Sequence, residues 1–273
     1  MERTGIVRAY PDAWRGRVTS LAGVVTLDLA RQATTVGLSA ASLERVYFPL
    51  LAMLDGRCGQ GRLIAALAGV PGAGKSTVGA ILQHVAGVLW GPGRFVLVAM
   101  DGWHLPNAVL DQRTTRSVDG RTISLRQRKG GPESYDVPAL AEALGRLRRG
   151  DAVCRLPAYS RALHDPVAEA VEVPVSTRIV LVEGNFLLSV DSPWDAVSRL
   201  LDVRCFLVAD PNEARRRVLA RHVRGGSREE QAVAKYETND RLNTDAVLAT
   251  RCQAEVIIRT DGPDMGVRVR GST

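Results

Sequence analysis

Cysteine is scarce. The 273 residues hold four, Cys58, Cys154, Cys205 and Cys252, with no CxxC pair and no zinc-like spacing to a histidine. That excludes a disulfide-built framework and a zinc module. Cys205 lies in an apolar run and reads as a buried thiol. No N-terminal apolar segment resembles a signal peptide, and no run is long enough to span a bilayer. A reduced, cytoplasmic protein with no membrane partner is expected. There is no internal repeat and no low-complexity tract. Nor is there a tail of one charge: the net charge is +7, but the arginines are spread along the chain. Dispersed basic charge suits phosphate-bearing ligands better than nucleic acid.

What is present describes a packed domain. Apolar residues make up 45% and charged residues 24%, enough to build a core. Continuous apolar runs occur at Leu63–Ala68, Phe95–Met100, Ile179–Val182, Val203–Ala209 and Val256–Ile258. Strands apolar on both faces belong to a parallel sheet covered on both sides. The intervening segments carry helical signatures. Val78, Ile81, Leu82 and Val85 share a face, as do Leu140, Leu144 and Leu147, with Gly150 as a stop. Asp210-Pro211-Asn212-Glu213 reads as a capped helix start, and Ser227 with Glu230 repeats the capping spacing. The alternation predicts an α/β fold: a doubly wound parallel sheet of P-loop NTPase type, flanked by helices, with a lid segment. Residues 1–60 are expected as an N-terminal extension packed on the core, with a short strand at Val24–Leu27 and a helix face from Ala41 to Leu54. Residues 61–273 are expected to form the main domain, its lid near 222–230.

Gly69-Val70-Pro71-Gly72-Ala73-Gly74-Lys75-Ser76 fits G-x-x-x-x-G-K-[ST], between an apolar strand and an amphipathic helix. Glycines let backbone N–H groups curl round a phosphate, and the helix N-terminus adds partial positive charge. Lys75 would reach the β- and γ-phosphates, Ser76 a Mg²⁺ ion, and Thr77 the α-phosphate. The chain has no N-K-x-D or T-K-x-D and no L-S-G-G-Q, which counts against a GTPase and an ABC transporter. The choice narrows to a small-molecule kinase or another P-loop ATPase with a regulatory or nucleic-acid-associated role.

Two acids follow predicted strands, Asp101 after Phe95–Val98 and Glu183 after Ile179–Val182. Ligands of open α/β sheets bind beyond the C-terminal strand ends, so both should face the loop. One would help hold Mg²⁺; the other is free to take a proton from a hydroxyl. Trp103 and His104 adjoin Asp101. Arg126, Arg128 and Lys129 form a basic cluster that either steers an anionic substrate or is a solvated loop. Tyr159, Arg161 and His164 lie in a polar segment, Pro157–Val167, suited to recognising a polyhydroxyl compound. Arg217 and Arg221 share one face of an arginine-rich helix ending at Gly225-Gly226.

Together these motifs resemble the phosphoribulokinase/uridine kinase/bacterial pantothenate kinase superfamily, and most closely its nucleoside/nucleotide-kinase-like branch. The resemblance covers roughly Leu63 to Val247. It rests on Gly69–Thr77, Met100–Asn107, Arg128–Asp136, Pro157–Arg161 and Leu181–Gly184. It implies ATP and Mg²⁺ as cofactors, Asp101 as catalytic base, Glu183 as the Walker B acid, and Arg217 and Arg221 as lid arginines. The chain departs from uridine kinases at Ser160 and His222, where those enzymes carry Asp. The expected activity is γ-phosphate transfer to a hydroxyl of a nucleoside-, sugar- or pantothenate-like compound, natural products and antibiotics included. The expected partner is that small molecule, with a homodimer compatible.

Overall fold

Five of the expected apolar runs lie side by side as parallel strands. The structure, a computed structural model, describes residues 4–29, 32–117 and 119–270. Across the sheet the parallel strands run Val256–Arg259, Val203–Val208, Leu63–Ala68, Ile179–Glu183 and Phe95–Ala99. Two antiparallel strands extend the first edge: Gly266–Arg270 pairs with Val256–Arg259, and Thr4–Val7 closes that side. Every residue of Leu63–Ala68 and Ile179–Glu183 is buried, as strands covered on both faces must be.

Counted along the chain, the third and fourth parallel strands flank the first. The connection from the first strand therefore runs to one side of the sheet and that from its neighbour, the third, to the other, and a crevice opens beyond their C-terminal ends. The registers align the crevice: Glu183 stands opposite Leu67 on one side and Ala99 on the other.

The helices follow their signals. Lys75–Trp90 buries Val78, Ile81, Leu82 and Val85. Val137–Arg149 starts at Asp136, whose carboxylate accepts from Ala139 N, and ends at left-handed Gly150. Pro211–Arg224 starts at Asp210, which accepts from Glu213 N at 3.0 Å. The next cap falls one residue later than predicted: helix Glu229–Lys235 is capped at Arg228, whose N–H donates to Gln231 Oε1 at 3.0 Å.

The N-terminal residues contribute to the same core. Leu43, Val46, Phe48, Leu50, Leu51 and Leu54 are buried in it, and Trp14 packs edge-on against Phe48 and Trp90 at 5.8 Å. Val24–Leu27 forms part of a hairpin, Gly23–Asp28 with Ala33–Leu38. The Pro157–Val167 segment is no loop. It forms most of an antiparallel hairpin, Cys154–Ser160 with Asp165–Val173, with a register shift between Leu156 and Ala158. Prolines and polar side chains hide its alternation in sequence. Among the described residues no helix is long and apolar enough to cross a membrane.

Candidate active site

The phosphate-binding loop turns on Gly69, Gly72 and Gly74, and Ala73 N donates back to Val70 O at 3.1 Å. Gly72 has a φ of 79°, and a Cβ there would lie 2.2 Å from Ala214 O. Only glycine lets the loop touch the helix Pro211–Arg224 so closely. Lys75 opens the helix after the loop. Its ammonium donates to Gly69 O at 2.8 Å, Val70 O at 3.1 Å and Asn185 Oδ1 at 2.7 Å. The side chain is only 8% exposed, folded onto the loop's own carbonyls rather than held out toward solvent. Burial lowers its pKa to about 8, against pulls from Glu183 and Asp101 in the opposite direction.

Ser76 Oγ donates to Glu183 Oε1 at 2.8 Å. Burial raises the Glu183 pKa, although Lys75 opposes the rise. A hydroxyl beside a carboxylate at a strand end is a hard-oxygen donor pair of the kind Mg²⁺ uses, with few protein ligands and the remainder from phosphate and water. The residues therefore fit the ion. Thr77 continues the helix one residue deeper.

Asp101 sits in a tight turn, Met100–Trp103, directly after its strand. Its side chain is 53% exposed, so it is reachable. Tyr135 Oη donates to Asp101 Oδ1 at 3.0 Å. Burial, then the Asp101 charge, drive the Tyr135 pKa well up, so the phenol stays a donor. His104 Nδ1 lies 2.9 Å from Asp101 O, and its ring packs on Tyr135 at 4.1 Å and Tyr159 at 5.1 Å. Burial lowers the His104 pKa, which favours the neutral ring. Gly102 admits the hairpin: a Cβ there would meet Pro157 O at 2.4 Å.

Several expected substrate contacts are differently placed. Trp103 is 5% exposed and belongs to the core, not to an open pocket wall. Arg128 is committed to the fold: its guanidinium holds Glu133 at 2.9 Å, Asn239, and Asn243 at 3.3 Å. The same asparagines donate to Lys129 O and Gly130 O, clamping this segment to the C-terminal helices. Lys129 Nζ donates to Asn107 Oδ1 at 2.6 Å and His164 O at 2.5 Å and lies 5.1 Å from the Tyr159 ring centre. Burial lowers its pKa to about 8. His164 is anchored by its backbone carbonyl, which also accepts from Asn107 Nδ2 at 2.9 Å, while its side chain is exposed. Tyr159 is half-buried beside His104, and burial raises its pKa to about 12.

Arg217 donates to Glu213 at 2.8 Å, and its Nη1 lies 3.7 Å from where a Cβ on Gly74 would stand. Arg221 is an electrostatic neighbour of Lys75, Tyr135 and Arg161. Sequence reasoning missed Tyr135 and Asn185. Tyr135 lay in the quoted Arg128–Asp136 stretch, and Asn185 two residues past the strand-end acid. His222 meets Asp240 at 2.7 Å, tying the arginine-rich helix to the helices that follow.

The family match agrees with this geometry. Residues 64–262 match the Phosphoribulokinase / Uridine kinase family. The chain belongs to that family. This phosphoribulokinase/uridine kinase member is 34% identical over 219 residues to the uncharacterised protein YggC of Escherichia coli K12, covering 79% of the chain and 86% of YggC. It is 31% identical to a pantothenate kinase of Myxococcus xanthus, covering 70% of the chain and 58% of that enzyme. Among solved structures, a candidate fructose transport system kinase from Silicibacter sp. TM1040 superposes with a TM-score of 0.63 at 31% identity, covering 73% of the chain and 90% of that protein. The fold is that of a P-loop kinase, and the family's reaction is phosphate transfer to a hydroxyl acceptor.

Proposed function

We propose that the protein transfers the γ-phosphate of ATP to a hydroxyl of a small polar molecule of the nucleoside, sugar or pantothenate kind, with Mg²⁺. The observation that carries this reading is the reachable Asp101 carboxylate. It stands beyond the strand next to Glu183, oriented by Tyr135, at the same sheet edge as the phosphate-binding loop.

In this reading Asp101 accepts the hydroxyl proton as the oxygen attacks the γ-phosphorus in line. Tyr135 and the His104 turn fix its direction. Lys75 exchanges neutral carbonyl acceptors for phosphate oxygens, a stronger charge-assisted pairing. Ser76 and Glu183 would hold Mg²⁺, which when bound offsets charge on the phosphates. Arg217, lying against Gly74, and Arg221 balance charge building on the transferred group as the lid segment near 222–230 closes. Tyr159 lines the acceptor side through its ring and hydroxyl.

The test is acceptor-dependent ADP release across nucleosides, sugars, sugar acids and pantothenate, run beside Asp101→Asn. One acceptor should stimulate the parent and not the variant. Stimulation by nucleic acid alone would refute the proposal.

A further inference from the structure

Most arginines of the site have partners. Arg128 is locked into the Asn239 and Asn243 clamp, and Arg217 rests on Glu213. Arg161 differs: among the described residues its partly exposed side chain makes no hydrogen bond and no ion pair. Yet it does not face bulk solvent alone. Its electrostatic neighbours are Arg221, Asp101, Glu183 and Arg224. Partial burial is the main cause of its lowered pKa and the Arg221 charge the next, while Asp101 and Glu183 pull the other way.

The two nearby carboxylates are already engaged. Glu183 accepts from Ser76, and Asp101 accepts from Tyr135. The guanidinium is thus an electrostatic neighbour of Asp101 and Glu183 that has no hydrogen-bond partner among the described residues.

Its carrier decides which ligand it serves. Arg217 lies against Gly74, on the nucleotide side. Arg161 instead begins the turn of the hairpin that abuts the Asp101 turn at Gly102. The hairpin tip is fixed at three points: Asn107 Nδ2 and Lys129 Nζ on His164 O, and Asn107 N on Asp165 Oδ1 at 2.8 Å. The backbone that carries Arg161 is thus anchored, and its guanidinium offers parallel N–H donors that match a planar or tetrahedral anion.

We infer that the acceptor is itself an anion, whose hydroxyl faces Asp101 while a carboxylate or phosphate on the same molecule pairs with Arg161. This rests on the kinase reading above and narrows it to hydroxy acids, sugar acids and sugar phosphates. A neutral nucleoside or free sugar leaves Arg161 without a partner.

The test is calorimetric binding to the full chain with Mg²⁺ and a non-hydrolysable ATP analogue. Matched pairs isolate the charge: pantothenate against pantothenol, gluconate against glucose, and glucose 6-phosphate against glucose. In at least one pair the anion should bind roughly tenfold tighter or better. The pair that responds tells carboxylate from phosphate. Arg161→Gln, which removes no hydrogen bond or ion pair among the described residues, should abolish the margin and leave affinity for the ATP analogue unchanged. Neutral members binding as tightly overturn the inference. So does a margin that survives Arg161→Gln, or an absence of binding by every anion while the analogue binds. Failure to bind the analogue overturns the kinase reading and the inference with it.

Discussion

Lys75 should weaken the fold at neutral pH while serving catalysis. Its pKa falls from the ordinary 10.5 to about 8 because its ammonium is buried. The unfolded chain therefore keeps this proton to higher pH than the folded chain does. Stability must rise with pH wherever the unfolded state binds more protons, which here is between about 8 and 10.5. Below that window both states are protonated and the penalty is constant. At about 1.4 kcal/mol per pKa unit, the full depression corresponds to about 3 kcal/mol of destabilisation at pH 7. Between pH 7.5 and 9.5 the parent should recover about 2 kcal/mol from this one group. Lys75→Met keeps the length of the chain and cannot titrate. Other lysines, tyrosines and cysteines titrate alike in both proteins, so the difference in urea unfolding free energy isolates Lys75. That difference should shift by about 2 kcal/mol in the parent's favour between pH 7.5 and 9.5, while the variant loses ATP turnover at every pH. A constant difference, or one moving the other way, would refute the burial argument.

Asp101→Asn preserves shape and should lower turnover by roughly 10²–10⁴ with ATP affinity unchanged in equilibrium binding; lost ATP binding would make Asp101 a metal ligand instead. Glu183→Gln leaves Ser76 a hydrogen-bond partner but removes the charge, so Mg²⁺ titration of activity should shift to higher concentration; an unchanged titration with weaker acceptor binding would contradict the assignment. Tyr159→Ala should raise the acceptor KM by the equivalent of about 0.5–1.5 kcal/mol without moving the ATP KM. His164→Ala should leave both constants near the parent's, because the anchoring group is the backbone carbonyl; a large acceptor effect would restore the imidazole as a contact.

The sheet was readable because its inner strands are apolar on both faces, and the loop because the chemistry of a phosphate cradle constrains residue type at fixed spacing. Asp101 and Glu183 were readable for the same reason: each ends a buried run. The outer hairpins were legible only in part: the strand at Val24–Leu27 was, its partner Ala33–Leu38 was not. Val24 is 76% exposed, so Gly23–Asp28 lacks a continuous apolar signal. The Cys154–Val173 hairpin is interrupted by prolines and a register shift. Side-chain partners far apart in sequence were the least legible. Arg128 reads as a free cation until Asn239 and Asn243, more than a hundred residues on, take its donors. Tyr135 gains its importance only when folding brings its hydroxyl to Asp101.

The hairpin beside Asp101 has an evolutionary consequence. Its attachments run mostly through main-chain atoms, Pro157 O against Gly102 and His164 O to Asn107 and Lys129, with the Asp165 carboxylate on Asn107 N the side-chain exception. Arg161 has no hydrogen bond or ion pair to lose among the described residues and can be exchanged without unseating the base. Tyr159 meets the site through its ring, packed on His104 and beside the Lys129 ammonium. Such an arrangement separates inheritance of the phosphoryl-transfer machinery from inheritance of acceptor preference. A lineage can drift from one hydroxyl compound to another by substitutions at two or three tip positions, each intermediate remaining a folded, ATP-competent protein.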